Sequence, residues 1–411
     1  MKIIRIITVC LIVLMTSIAS AQKEYLNSYL KVAAENNPEL KAKFNEYLAA
    51  LEVVPQVNTL ADPEIMFAYF ASPVETREGP QQFKISASQL FPWFGTLAAK
   101  KNVAIETAKT KYEIFKESKA KLFHEVRATY FNLYFNKKAI EITINNIEIL
   151  HSFQKLANIK VKAGIVSVLD EYRIEMEINE LENQLAILRD KSHILEVIFK
   201  NSINNKQIQT IYIPTNLWTE DFPLTRQEGL DSVSSLNHQL LALDFQQATL
   251  QHQQKLAQKS GKPNIKLGFD YTFIGKGQNN LSGKDAFVFP SIGLSIPLYR
   301  NKYKAKVQEV IYLKEAKSFE KENKANMLEI LFEEGWKDYT DAQRRIDLYH
   351  RQFNLAKKSI KILETDYATG SEKFEEILRM ERNLLKYNLE KEKAISDKQA
   401  AIAFLNYLMG K

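Results

Sequence analysis

The sequence predicts a mainly α-helical protein with a β part of the kind that closes into a membrane barrel. Three observations lead there. Two stretches of helix-forming composition are unusually long and free of proline, four short segments alternate apolar with polar residues, and the second half of the chain repeats the first.

The long stretches run from Leu97 to Lys162 and from Lys302 to Thr369, with a single glycine between them, Gly335. Leu, Ala, Glu and Lys dominate, residues that lose little freedom on entering a helix. Apolar residues recur at helical spacing, as in Leu122, Val126, Tyr130 and Leu133, or Leu348, Phe353, Leu355, Ile360 and Leu363. Each stretch holds about 66 residues, roughly 100 Å at 1.5 Å per residue. That exceeds what a globular core needs and suits a coiled coil or a tunnel wall. Length alone leaves a soluble coiled-coil rod equally open.

The strands bear on that choice. Ile265, Leu267, Phe269, Tyr271 and Phe273 alternate with Lys266, Gly268, Asp270 and Thr272, and Ile292, Leu294 and Ile296 alternate with Ser291, Gly293 and Ser295. Period-two patterning over about ten residues is the length and repeat of a transmembrane β-strand, which assigns these eight apolar residues to lipid. The first half repeats it less cleanly, with Ile65, Phe67 and Tyr69, then Ile85, Ala87 and Gln89. The loops between paired strands, 71–80 and 275–284, are polar and carry Gly or Pro. A half-exposed sheet in a soluble domain shows the same alternation. Four strands cannot close a barrel with a lumen, and an open edge in lipid leaves N–H and C=O groups unpaired at several kcal/mol each. Closure therefore calls for oligomerisation, three copies giving twelve strands.

The repeat has an offset of about two hundred residues. Asn37-Pro38-Glu39-Leu40 answers Asn237-His238-Gln239-Leu240, and Pro63-Glu64-Ile65 answers Pro263-Asn264-Ile265. Phe91-Pro92-Trp93-Phe94-Gly95 answers Ile296-Pro297-Leu298-Tyr299-Arg300. Gly164 with Val168-Leu169-Asp170 answers Gly370 with Phe374-Glu375-Glu376. Each unit reads helix, two strands, very long helix, glycine break, helix. The expected division is a signal peptide at 1–21, a first repeat at 22–205, a connection at 206–235 and a second repeat at 236–411.

The signal peptide is read from Lys2 and Arg5, the short apolar run Ile6 to Met15, and Ala19-Ser20-Ala21 before a cleavage site at Gln22. Cleavage removes Cys10, the only cysteine, and with it any disulfide or zinc–thiolate chemistry. The 56 basic and 49 acidic residues give a net charge of +7, which falls to +5 without Lys2 and Arg5. So small an excess does not point to nucleic acid. His124, His151, His193, His238, His252 and His350 are scattered, with no pair at the spacing of a helical metal site. No phosphate-cradling loop or nucleophile elbow is present. The expectation is no enzyme, no cofactor and no bound metal.

On these residues the sequence resembles the TolC-type outer-membrane efflux proteins, over nearly the whole mature chain from about Tyr25 to Met409. The marks are Asn37 to Leu40, Asp62-Pro63-Glu64, Ser88 to Gly95, Gly293 to Tyr299, and Tyr367-Ala368-Thr369-Gly370 followed by Phe374 and Leu378. The second and last of these look most like the cation-exporting branch that serves resistance–nodulation–division pumps. The resemblance implies a homotrimer in the cell outer membrane that extends into the periplasm. Its twelve-stranded barrel continues as a helical coiled-coil tunnel, docked on a periplasmic adaptor and an inner-membrane transporter. It also implies contacts to the adaptor at the two tips, around Gly164, Val168, Leu169 and Asp170 and around Gly370, Phe374 and Glu375. The family guards its closed end with acidic residues after the second tip glycine. Glu376 keeps that charge and Arg379 departs from it, which allows a salt-bridged latch in place of a double acidic ring. Read without the resemblance, Glu375, Glu376 and Arg379 are equally a solvated helix face. Trp93 and Phe94 fit either an aromatic girdle or a strand–helix core. The competing function is a periplasmic coiled-coil adaptor or scaffold, and the cargo is not encoded in any residue pattern.

Overall fold

The computed structural model describes residues 23–218, 220–277, 283–369 and 374–411. The expected signal peptide and Gly370 lie outside them. The chain forms two compact units. One draws on the chain up to Ala42, Lys116–Asn237 and the chain from Ala325 onward; the other comprises Lys43–Phe115 and His238–Lys324.

The elements fall into two halves. In the first half come α1 (23–36), α2 (Pro38–Val57), β1 (Glu64–Tyr69), β2 (Glu75–Thr76), β3 (Gly79–Phe91), α3 (Thr96–Lys162) and α4 (Val168–Ser202). In the second come α5 (Arg226–Leu236), α6 (His238–Ser260), β4 (Asn264–Ile274), β5 (Ala286–Ser295), α7 (Arg300–Thr369) and α8 (Phe374–Leu408). The long helices α3 and α7 have 67 and 70 residues, so the proline-free stretches are helical throughout. Gly335 sits within α7, where a Cβ would approach Phe404 to 2.9 Å, so packing explains the one glycine there.

The shared Asn at the start of each repeat has a common structural task. Asn37 separates α1 from α2 and Asn237 separates α5 from α6. The Asn37 side-chain amide donates to the Ser202 carbonyl at the end of α4 (3.1 Å), while its Oδ1 accepts from the Leu40 N–H (3.0 Å). The Asn237 amide likewise donates to the Leu408 carbonyl at the end of α8 (2.8 Å). Each asparagine thus satisfies a carbonyl that a helix C-terminus would otherwise leave orphaned.

The connection between repeats is not a bare linker. Ile213, Leu217 and Phe222 are buried, and the Tyr339 hydroxyl accepts from the Phe222 N–H (3.2 Å). α5 within it is fixed by a reciprocal Thr225–Glu228 capping box.

The strands form one antiparallel sheet in the order β1-β3-β4-β5, with the two-residue β2 attached to β3. The predicted pairs β1–β3 and β4–β5 are present, and β3–β4 pairing joins the halves.

Candidate functional site

The sheet is the first candidate surface. Its register sets Ile65, Phe67 and Tyr69 of β1 opposite Ala87, Ile85 and Phe83 of β3. Those in turn face Phe269, Tyr271 and Phe273 of β4, while Ile265 and Leu267 face Leu294 and Ile292 of β5. One face therefore gathers apolar residues from all four strands. The other carries Glu64, Lys84, Ser86, Ser88, Lys266, Asp270 and Thr272, tied by Lys84–Asp270 (2.8 Å), Ser86–Asp270 (2.5 Å) and Lys266–Glu64 (2.6 Å). Among the described residues much of the apolar face is uncovered: Phe67 is 75% exposed, Tyr69 81% and Ile292 68%.

One strand expectation changes, and the sheet adds two residues that the sequence analysis did not name. Ile296 lies one residue past the end of β5, so it is not a ladder residue. Conversely, Phe287 and Phe289 join the apolar face. Between Gly268↔Ser291 and Asp270↔Val288, β5 carries one extra residue, a bulge that reverses its phase. Phe287 then pairs with Tyr271 and stacks on Phe289. Strict alternation from Ile292 would have put both on the polar face, which is why the sequence pattern missed them. Phe94, beside the sheet, is 78% exposed, which favours the girdle over the core, while Trp93 is half-buried against it.

The second candidate is the helix tips. α3 ends in a left-handed Gly164 (φ 69°), with the Ile165 N–H returning to the Lys160 carbonyl (2.9 Å). Ser167 then caps α4 by accepting from the Leu169 N–H (3.2 Å). Val168 and Leu169 are exposed, together with Ile159, Ile165, Tyr172 and Met176. Asp170 pairs with Arg173 (3.3 Å), which also reaches Glu375 (3.4 Å), so the starts of α4 and α8 are linked. Glu376 and Arg379 form an ion pair along one face of α8. Phe374 differs from expectation: it is buried against Phe153 and Tyr367, holding the bundle together instead of offering itself to a partner.

Beneath the tips lies a core built from α3, α4, α7 and α8, including Leu150, Ile174, Ile178, Tyr367, Ile377 and Leu378. Lys160 lies 3.7 Å over the Tyr367 ring and donates to its backbone carbonyl (2.6 Å). The core contains a carboxyl that the sequence reading did not single out. Glu381 is buried and accepts from Asn146 (3.4 Å). Burial, with the Glu364 charge adding to it, pushes its pKa up to about 7, against which the Asn146 contact works. Glu177 is also raised by burial, opposed by Arg382 at 3.3 Å.

A third feature appears only in three dimensions. Exposed apolar residues recur at intervals of seven: Ile149 and Leu156 on α3, Ile187 and Ile194 on α4, and Leu348, Leu355 and Ile362 on α7. Seven-residue spacing is that of a knobs-into-holes seam, and among the described residues these side chains remain exposed. Among the described residues no helix is long and apolar enough to cross a membrane, and no group of three or more His, Cys, Asp or Glu is placed to hold a metal ion.

No family model and no curated protein matches the sequence. Solved structures do. The outer-membrane channel OprN superposes with a TM-score of 0.79 at 14% identity, over 94% of this chain and 90% of that one. The outer-membrane protein VceC of Vibrio cholerae gives 0.78 at 13%, over 95% and 98%. CusC, whose structures concern folding and transmembrane channel formation, gives 0.77 at 14%, over 94% and 92%. Each superposition runs over nearly the full length of both chains. The chain therefore has the fold of the TolC-like outer-membrane channels.

Proposed function

We propose that the chain is the outer-membrane channel subunit of a tripartite efflux system, a passive conduit that works as a homotrimer and catalyses nothing itself. The observation that carries this reading is the sheet. It pairs an uncovered apolar face with a polar one and ends in two open edges, β1 and β5. In lipid such edges are tolerated only when another chain pairs with them. Three copies supply twelve long strands, and the unfilled seams on α3, α4 and α7 give neighbouring subunits their packing surface. The long helices then wall a tunnel in the periplasm.

The tips fit the partner roles. The exposed apolar residues around Gly164, Val168 and Leu169 offer a contact for a periplasmic adaptor, which in turn joins an inner-membrane transporter. Gly370, at the second tip, is assigned to the same contact by the family resemblance. Glu375 and Asp170 hold the tips in register through Arg173. Glu376, once per subunit, would form a ring of three carboxylates favouring cations, tempered by Arg379. Export of small solutes is the proposed activity, and that ring together with the resemblance to the cation-exporting branch makes heavy-metal cations one candidate cargo.

The competing reading, a soluble periplasmic scaffold, leaves the apolar sheet face without a purpose. Membrane fractionation separates the two. The channel sediments with outer membranes and leaves them only in detergent; a scaffold remains in the soluble fraction. Deletion of the gene followed by a panel of metal salts, dyes and antibiotics then addresses cargo. Sensitivity confined to metals supports the cation assignment, and broad drug sensitivity removes it.

A further inference from the structure

The segments that leave the sheet carry an unusual charge distribution. From Leu250 to Pro263 and from Ile296 to Gln308 there is no acidic residue, yet Lys255, Lys259, Lys262, Arg300, Lys302, Lys304 and Lys306 all fall there. Part of this set converges. A groove of about 530 Å³ between the end of α6 and the start of α7 is lined by Lys262, Arg300 and Lys304, with Pro297 and Tyr303 beside them. No ion pair or hydrogen bond engages these three side chains among the described residues; Lys259, by contrast, is committed to the Phe94 carbonyl (3.0 Å).

Arg300 and Lys304 are four residues apart on one helix face, an arrangement that like charges make unfavourable unless an anion lies between them. The first turn of α7 contains no acidic residue, so the positive end of its dipole adds to the same field. The surroundings specify the anion further. Leu298, 75% exposed, and Tyr299, 82% exposed, join Pro297 to Arg300 of the lining, and Pro297 lies two residues past the end of β5, whose Leu294 pairs with Ile265 on the apolar face. An acidic group beside an apolar body is the chemistry of an anionic amphiphile.

We infer that this groove binds the phosphate of an anionic phospholipid whose acyl chains lie along the apolar sheet face. The inference rests on the proposed membrane placement of the sheet and adds to it a headgroup-selective site at the membrane surface. Free phosphate shares the anionic chemistry but has no use for Leu298 and Tyr299, so the lipid is the assigned occupant.

The test uses the full mature oligomer purified in detergent. It is reconstituted with vesicles of neutral phosphatidylcholine, with or without phosphatidylglycerol, and retained lipid is counted by native mass spectrometry. Wild type should float with both vesicles and keep phosphatidylglycerol over phosphatidylcholine by about tenfold, since each basic side chain near an anionic surface contributes a factor of several. The triple variant K262Q/R300Q/K304Q should float equally and lose the preference. The charge-matched variant R351Q/K357Q/K358Q, altered at exposed positions elsewhere on α7, should keep it. Inorganic phosphate at millimolar concentration should not displace the lipid. Equal retention of the two lipids by wild type overturns the inference, as does a preference that survives the triple variant or is abolished by inorganic phosphate. Failure of wild type to float with neutral vesicles overturns the membrane placement itself, and the inference with it.

Discussion

Glu381 occupies position i+7 from Phe374 on α8, on the stripe that continues through Ile377, Leu378 and Leu385. That placement, a carboxyl on an apolar stripe, was the available sequence signal, but only three-dimensional packing turns it into burial. Because its folded-state pKa is raised from 4.5 to about 7, the folded chain holds this proton over a range where the unfolded chain has lost it. The associated stability is complete below about pH 4.5, declines as pH rises through 7 and is absent above. Glu381→Gln should flatten that dependence and stabilise the protein at pH 8 by on the order of 3 kcal/mol per chain, read as the difference between melting curves at pH 5 and pH 8. An unchanged pH slope would remove Glu381 as its source. Glu376 and Arg379 were singled out through the family resemblance, which already allowed them to pair, and they form an ion pair on α8. Glu376→Gln should lower the cation preference of the channel in planar bilayers, and an unaltered reversal potential would take this residue out of the pore.

At the level of elements, helix lengths and breaks were readable because proline, glycine and composition act locally. The Asn37 and Asn237 positions were readable as a repeat, but their capping of distant helix ends was not, since that contact spans 165 and 171 residues. Asn237 is buried, so Asn237→Ala leaves the Leu408 carbonyl without its partner. A loss of about 1–3 kcal/mol in denaturant unfolding is expected; Asn237→Asp, which replaces the donating NH2 by an oxygen facing the Leu408 carbonyl, should lose at least as much, whereas a loss confined to Asn237→Ala would assign the effect to side-chain size. Comparing the two variants therefore separates hydrogen bonding from shape. The β5 bulge marks the other boundary of sequence reading. One inserted residue converts Phe287 and Phe289 from the apparent polar face to the apolar one, and nothing in the local pattern announces it.

At the scale of the whole molecule, surfaces left unfilled by one chain carry the account. Leu348 and Leu355 were read in the sequence only as part of an apolar stripe at helical spacing; together with Ile362 they are exposed. Periodicity identifies an apolar stripe without saying whether its partner lies in the same chain. If the stripe packs on a neighbouring subunit, each residue contributes about 1.5–3 kcal/mol of burial. The double variant Leu355→Glu/Ile362→Glu should then reduce the oligomer to single chains while circular dichroism retains the helical signal. An intact oligomer would place the seam outside the subunit contact.

The central claim is that this sheet becomes a closed barrel only by pairing its edges with other copies of the chain. Light scattering on the detergent-solubilised mature protein, with the bound detergent subtracted, tests it most directly. The account predicts three chains per particle surrounded by a detergent belt. A single chain that stays in solution after detergent removal would contradict it.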